Sequence, residues 1–299
     1  MIDGLVVVDK PAGWTSHDVV AKLRGVFGQR RIGHAGTLDP DATGVLLVGL
    51  GRATRLMRYL QETTKEYDAV VAFGVATDTL DASGAVLDRA AMSITRAELE
   101  GAAERFTGDI MQVPPMVSAL KVGGRRLHEM ARAGEEIERD ARPVRIDRLV
   151  VRDFEPGPFP RASISVQCSS GTYVRSLAAD LGAALGGTAH LAELRRTRVG
   201  TFSLADAHPL LELVDAATSE DAVLSPAEAM RALPRIQVDD ECRAAVCHGS
   251  VFPAGVLGAE GPGPFALVDG QETLLAVYER RGSAIKPSVV LGSSGGNTA

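Results

Sequence analysis

The sequence predicts an α+β fold, on three observations. Apolar runs with strand character are mixed with amphipathic segments of helical period, without the regular alternation that builds a doubly wound parallel sheet. Neither a phosphate loop nor a dinucleotide fingerprint accompanies them. A length of 299 residues exceeds the usual single domain and suggests two.

Taken in order, Gly4 to Val8 reads as a buried strand. Thr15-Ser16 supplies capping hydroxyls for a helix whose Val19, Val20, Leu23 and Phe27 recur at helical spacing. A glycine-rich loop follows, then a short apolar strand from Val45 to Leu50. Arg52 to Leu60 is expected as one helix with Leu56, Tyr59 and Leu60 on its inner face. Tyr67 to Phe73 reads as a strand, Asp78 to Gly84 as a polar turn, and Arg96 to Phe106 as a helix burying Leu99, Ala103 and Phe106. Lys121 to Asp140, rich in charge and glycine with an amphipathic piece at Leu127, Met130 and Ala131, reads as an excursion from the core. Val144 to Phe154 and Ala162 to Cys168 alternate like a paired hairpin, Tyr173 to Leu185 is helical, and Thr188 to Val199 returns to the sheet. The acidic passage from Leu204 to Asp221 is expected to link the domains. Beyond it, a helix starts at Ser225-Pro226, and short strands near Val251-Phe252, Phe265 to Val268 and Leu274 to Tyr278 suggest a small β-rich domain. The Gly- and Ser-rich end, 292–299, is expected to be disordered.

Hydrophobic residues make up 45% and charged residues 23%, which excludes a wholly disordered chain. No apolar stretch approaches the ~20 residues that span a bilayer, and no basic leader precedes the first strand, so a cytoplasmic, membrane-free protein is expected. Cys168, Cys242 and Cys247 lack paired Cys-x-x-Cys spacing, so reduced thiols and no metal are expected. The formal charge of -6 is unevenly placed: residues 204–299 hold 13 acids and 6 bases, leaving 25 acids and 26 bases before them. In that first part, bases gather at Arg24, Arg30 and Arg31, at Arg52, Arg55 and Arg58, at Lys121, Arg125 and Arg126, and at Arg195, Arg196 and Arg198. Such clusters either pair with phosphates or form solvated faces.

The most informative stretch is the loop Gly33-His34-Ala35-Gly36-Thr37-Leu38-Asp39-Pro40-Asp41-Ala42-Thr43-Gly44. Glycines let a partner approach the main chain closely, and Pro40 pushes Asp39 toward an extended conformation, so its carboxylate is aimed. Alone, Asp39-Pro40 could equally start an ordinary turn.

Together with Lys10-Pro11-Ala12-Gly13, Lys65-Glu66-Tyr67 and Cys168-Ser169-Ser170-Gly171-Thr172-Tyr173-Val174-Arg175, this loop closely resembles the bacterial tRNA pseudouridine synthase B family, TruB, over the first two thirds of the chain. The resemblance implies a pseudouridine synthase fold, a mixed, largely antiparallel sheet with a central cleft, over residues 1–210. It also implies a mobile RNA-binding insertion at 121–140 and a PUA-like domain at 222–291. The implied reaction isomerises uridine 55 in the T-arm of tRNA without metal or redox cofactor. Asp39 would act as nucleophile or as base toward the ribose 2′ proton, Arg175 would pair with it, and Tyr67 would stack on the target base. His34 would fill space vacated by a flipped nucleotide and Lys10 would support the site. Tyr173, Gly36 and Leu194 would contact the substrate. One departure stands out: Asp41 occupies a position where the family usually carries a bulky apolar residue. It is expected to face solvent, with Arg175 dominating the electrostatics of Asp39.

Three other readings compete. A noncatalytic RNA-binding or RNA-folding protein is opposed by the intact set of Asp39, Tyr67 and Arg175. A hydrolase pairing Asp39 with Asp41 would be revived only by hydrolysis of a glycoside or nucleoside with no isomerised RNA. Guide-RNA-dependent relatives share the aspartate motif, but the compact length favours a stand-alone protein, expected to be a monomer acting on bare tRNA.

Overall fold

The computed structural model describes residues 1–118, 120–122, 124–127, 130, 135, 137–214 and 220–292. Much of the excursion expected at 121–140, including Ala131, and all but the first residue of the 292–299 tail lie outside the described residues.

The chain opens with β1 (Gly4–Lys10), and α1 (Ser16–Val26) follows. Helix α1 starts in a capping box, in which the Thr15 hydroxyl accepts from Asp18 N at 3.0 Å and the Asp18 carboxylate accepts from Thr15 N at 2.9 Å. Next come β2 (Ile32–Ala35) and β3 (Thr43–Leu50), with the Asp39 loop between them. The expected Arg52–Leu60 helix begins instead as a 3-10 segment, Gly51–Leu56, before α2 (Met57–Gln61), while Leu56 and Leu60 are buried as expected. Asp3 accounts for the tighter start: its carboxylate accepts from Arg52 N at 2.5 Å and caps the segment.

After β4 (Lys65–Phe73), a ribbon of β5 (Val75–Thr77) and β6 (Val86–Arg89) carries the polar turn. Then come α3 (Arg96–Arg105), β7 (Gly108–Gln112), and the two-residue strands β8 (Lys121–Val122) and β9 (Arg125–Arg126). The long hairpin β10 (Arg142–Glu155) and β11 (Arg161–Cys168) precedes α4 (Val174–Ala184) and β12 (Ala189–Val199). The short strands β13 (Phe202–Ser203) and β14 (His208–Pro209) complete the main sheet.

That sheet has ten strands in the order β14-β1-β3-β12-β4-β11-β10-β7, with β13 beside β12 and β2 beside β3. It is mixed and largely antiparallel, since within it only the β1–β14 and β3–β12 pairs run parallel. Strand β12 shows how the sheet feeds the site. Register shifts fall between Leu191 and Glu193 and again between Arg196 and Arg198. Each bulge switches which parity of residue faces inward, so Leu191 is buried, then Arg196, then Val199.

The passage expected as a linker is not loose over its described part. It carries β14, buries Leu210 and Leu213, and is followed by a bridge between Leu5 and Leu224. The chain then forms α5 (Pro226–Ala229), β15 (Arg235–Gln237), α6 (Asp240–Cys247), β16 (Phe252–Pro253), β17 (Phe265–Val268), β18 (Leu274–Arg281) and β19 (Ala284–Val290). Its five strands are ordered β15-β17-β18-β19-β16. The two sheets share a core: Leu5, Val7 and Leu47 pack with Ala266, Val268, Val277 and Val289, while Val6, Val8 and Leu46 face the other way into the main cluster. Burial on both faces explains why β1 and β3 read as unbroken apolar runs.

The arginines at 52, 55 and 58 hold this junction. Arg52 binds Asp3 at 2.6 Å and the Leu291 carbonyl at 2.5 Å, Arg55 donates to the Val290 carbonyl, and Arg58 pairs with Glu279 at 3.0 Å. One of the clusters read as a phosphate partner is therefore engaged with the chain's own C-terminal sheet.

Candidate active site

The Asp39 loop is pinned from both sides. The buried Ser16 hydroxyl donates to the Leu38 carbonyl at 3.1 Å and accepts from Leu38 N at 2.9 Å. Lys10 is fully buried and spends its three N–H donors on the carbonyls of Pro11, Trp14 and Pro40, at 2.9, 2.6 and 2.8 Å. Burial lowers its ammonium to about 8, against the pull of Asp41 and Asp39. Lys10 thus ties the Lys10–Gly13 turn to the residue that follows Asp39, and Gly13 N donates to the same Pro40 carbonyl. Gly44 closes the loop with a φ of 101°, and a Cβ there would collide with the Arg196 backbone.

Arg175, in the first turn of α4, meets Asp39 in a two-pronged contact. Its Nε lies 3.0 Å from Oδ2 and its Nη2 donates to Oδ1 at 3.1 Å. The guanidinium also reaches Asp81 at 3.4 Å and donates to the carbonyls of Thr79 and Val117, at 3.0 and 2.8 Å. Its side chain is only 5% exposed while that of Asp39 is 39% exposed, so the arginine is fixed and the carboxylate opens to solvent. Burial pushes the Asp39 carboxyl above the usual range, Arg175 opposes this, and Asp81 adds to the rise.

Asp81 is the functional candidate that sequence reasoning missed. It sits in the polar turn, fixed by the Thr79 hydroxyl and by Ser83 N and Oγ, at 2.6, 3.1 and 2.6 Å. Nothing local marks it, because its meeting with Arg175 is a tertiary event. Asp41, the carboxylate that sequence singled out, is exposed as expected.

A cleft of about 310 Å³ opens beside this pair, and Asp39, Arg175, Tyr67, Tyr173, Gly36 and Leu194 all line it. Tyr67 is buried on β4, and burial raises its phenol above the ordinary value, opposed by the nearby charge of Arg196. Tyr173 caps α4, with its backbone N–H donating to Gln112 Oε1 at 2.8 Å and its carbonyl accepting from Gln112 Nε2 at 3.1 Å. Lys10 and His34 stand outside the lining. His34 meets His17 edge to face at 5.2 Å, its Nδ1 is buried without a hydrogen-bond partner, and burial lowers its ring to about 4, so it is neutral.

Lys65 and Arg196 also line the cleft and were not singled out as site residues. Arg196 is 1% exposed, with Nε on the Val45 carbonyl at 2.7 Å and its two Nη on the Thr37 and Gly36 carbonyls at 3.3 and 3.2 Å. It organises the Asp39 loop from within and is not available to a phosphate at the surface, unlike the reading of the Arg195–Arg198 cluster. Arg195, beside it, binds Asp9 at 2.7 Å. Among the described residues, no group of His, Cys, Asp and Glu is arranged to hold a metal ion, and no helix is long and apolar enough to cross a membrane.

Comparison with known proteins agrees with this arrangement. Residues 24–174 match the N-terminal domain model of the TruB family of pseudouridylate synthases, and 175–237 match the C-terminal domain model of tRNA pseudouridylate synthase B. The chain is 48% identical over 286 residues to the tRNA pseudouridine synthase B of Corynebacterium aurimucosum, covering 94% of each. It is 52% identical over 254 residues to that of Symbiobacterium thermophilum, covering 85% and 84%. Among solved structures, a chain of a Cbf5-Nop10-Gar1 complex superposes with a TM-score of 0.75 at 27% identity, covering 97% of this chain and 85% of that one. A second, from an H/ACA RNP bound to a substrate RNA containing 2'-deoxyuridine, gives 0.73 at 26% identity, covering 97% and 86%. The chain belongs to the TruB family of pseudouridylate synthases.

Proposed function

We propose that the protein isomerises uridine 55 in the T-arm of tRNA to pseudouridine, acting in the cytoplasm as a monomer on bare tRNA, without guide RNA, metal or cofactor. The observation that carries this reading is the two-pronged Asp39–Arg175 contact at the edge of a cleft large enough for a single extruded base. Asp39 breaks the bond from ribose C1′ to uracil N1 either as a nucleophile or by taking the ribose 2′ proton. Arg175 opposes the rise that burial imposes on the Asp39 carboxyl. Tyr67 stacks on the uracil, a contact worth ~1 to 3 kcal/mol, comparable with the cost of unstacking it. Gly36, Tyr173 and Leu194 enclose the base, and neutral His34 fills the place it leaves in the RNA. Lys10 supports the loop through the Pro40 carbonyl. The charge-rich insertion at 121–140 closes over the RNA, and residues 222–291 act as a PUA-like RNA-binding module beside the catalytic domain of residues 1–210.

The deciding experiment maps pseudouridine by nucleotide in an unmodified tRNA transcript, with wild type and Asp39→Asn side by side. Product at uridine 55 from wild type alone is the expected outcome. RNA binding without product from either would replace the reading with an RNA-folding role.

A further inference from the structure

Lys65 and Arg196 form a pair of buried cations on the floor of the cleft, and neither has an anionic partner. Lys65 is 7% exposed, and its Nζ donates to the carbonyls of Gln61 at 2.8 Å and Thr63 at 3.0 Å, which leaves one N–H unused. Among the described residues, Arg196 donates to the carbonyls of Val45, Thr37 and Gly36. No carboxylate of the described residues lies within ion-pair distance of either. The two converge under Gly36: a Cβ built there would sit 3.8 Å from Lys65 Cε and 3.7 Å from Arg196 Nη1. Lys65 is also two residues before Tyr67 on β4, so both side chains point to the same face.

Buried charges are ordinarily paired, and this exception asks for an anion that arrives with the substrate. Resting on the reading of the site as a uridine isomerase, we propose that Lys65 stabilises the uracil ring anion released when the N1–C1′ bond breaks, with Arg196 as the residue that positions it and adds to the field. In that step the bonding electron pair goes to N1 and spreads onto O2 and O4, where a fixed N–H and a positive charge act on it directly. The ring then turns and C5 bonds to C1′ as the bond from Asp39 to C1′ breaks or, on the other route, as the 2′ proton returns to the ribose; the C5 proton leaves and N1 takes up a proton, so the atoms balance with no co-reactant. The chemistry of the neighbours agrees. Burial lowers the Lys65 ammonium only to about 8, leaving it charged at neutral pH. Burial pushes the Cys168 thiol beside it up to about 11, so no thiolate neutralises it. Asp39 and Asp81 stand together around Arg175, which separates negative charge, where C1′ is attacked, from positive charge, where the base departs.

The competing account is that Lys65 merely caps the end of α2. Lys65→Gln retains a donor for the Gln61 or Thr63 carbonyl but no charge, and Lys65→Arg retains the charge. Single-turnover cleavage of the N1–C1′ bond is followed on one tRNA carrying uridine or 5-fluorouridine at the target position. Fluorine makes the departing ring more acidic and therefore less dependent on outside stabilisation. Lys65→Gln should slow the uridine substrate about 100-fold but the fluorinated one about 10-fold, with KM within about threefold and Lys65→Arg recovering most of the loss. Because the two rates come from one preparation, their ratio is independent of how much protein is folded. Equal slowing of both substrates would overturn the inference and leave Lys65 a cap. Absence of pseudouridine from the wild type would instead overturn the isomerase reading beneath it.

Discussion

The two buried arginines of the cleft are opposites. Arg175 faces two carboxylates and two carbonyls, so its charge is consumed in aiming Asp39. Arg196, carried inward by two bulges of β12, donates to three carbonyls and meets no carboxylate among the described residues, so its charge is left over. The same residue type at similar burial thus serves geometry on one wall and potential on the other. What distinguishes them is the chemistry of their partners and not their exposure.

Changes on the Asp39 wall should stop catalysis, and changes on the Arg196 wall should weaken both fold and rate. The largest effect belongs to Asp39→Asn, which keeps the size of the side chain but removes its charge and one of the two acceptors that Arg175 uses. Pseudouridine formation should fall by ~10⁴-fold or more with binding of tRNA retained, read by product assay and filter binding. Arg175→Lys keeps a charge but cannot span both Asp39 oxygens, and about 100-fold in kcat is expected from steady-state assays. Arg196→Met removes the hydrogen bonds to the Val45, Thr37 and Gly36 carbonyls. About 3 kcal/mol of stability should be lost, measured by urea unfolding. Arg52→Ala is the reference outside the cleft, at an exposed ion pair: under about 1 kcal/mol of stability and unchanged turnover.

pH sharpens the comparison further. Because burial raises the Asp39 carboxyl, turnover should fall on the acid side at a higher pH than for a free aspartate. Arg175 lowers that pKa and Asp81 raises it, so Arg175→Lys and Asp81→Asn should shift the acid limb in opposite directions, the first upward if the lysine sits farther away and the second downward. A limb that moves the same way in both would show that the network responds as one unit.

Much of this was legible before the structure. Local signals carried it where they sufficed: the Thr15-x-x-Asp18 cap, the alternation of the Val144–Cys168 hairpin, and the Gly and Pro framing of Asp39. Four motifs in order brought Asp39, Tyr67 and Arg175 together. Asp81 was not legible, because a carboxylate in a polar turn looks like any other turn carboxylate until Arg175 arrives 94 positions later. Arg196 was hidden by the bulges, since strict alternation along β12 does not reveal where parity switches. The arginines at 52, 55 and 58 resembled a phosphate patch because sequence spacing shows that bases cluster and not what they face.

The edge of the main sheet has a consequence for synthesis. Strand β1 leaves the ribosome long before its partners 208–209 and 224, yet one of its flanks is covered by His208–Pro209 and by the Leu5–Leu224 bridge, and Gly4 is packed so closely that a Cβ would strike Val223 and the Leu224 carbonyl. A nascent chain that already contains β3 can pair the other flank at once. The first flank stays open, with unpaired N–H and C=O groups, until some two hundred more residues have emerged. Chains stalled before that point should be the ones that aggregate or recruit chaperones, so the sheet that holds the site is sealed only once Leu224 has emerged.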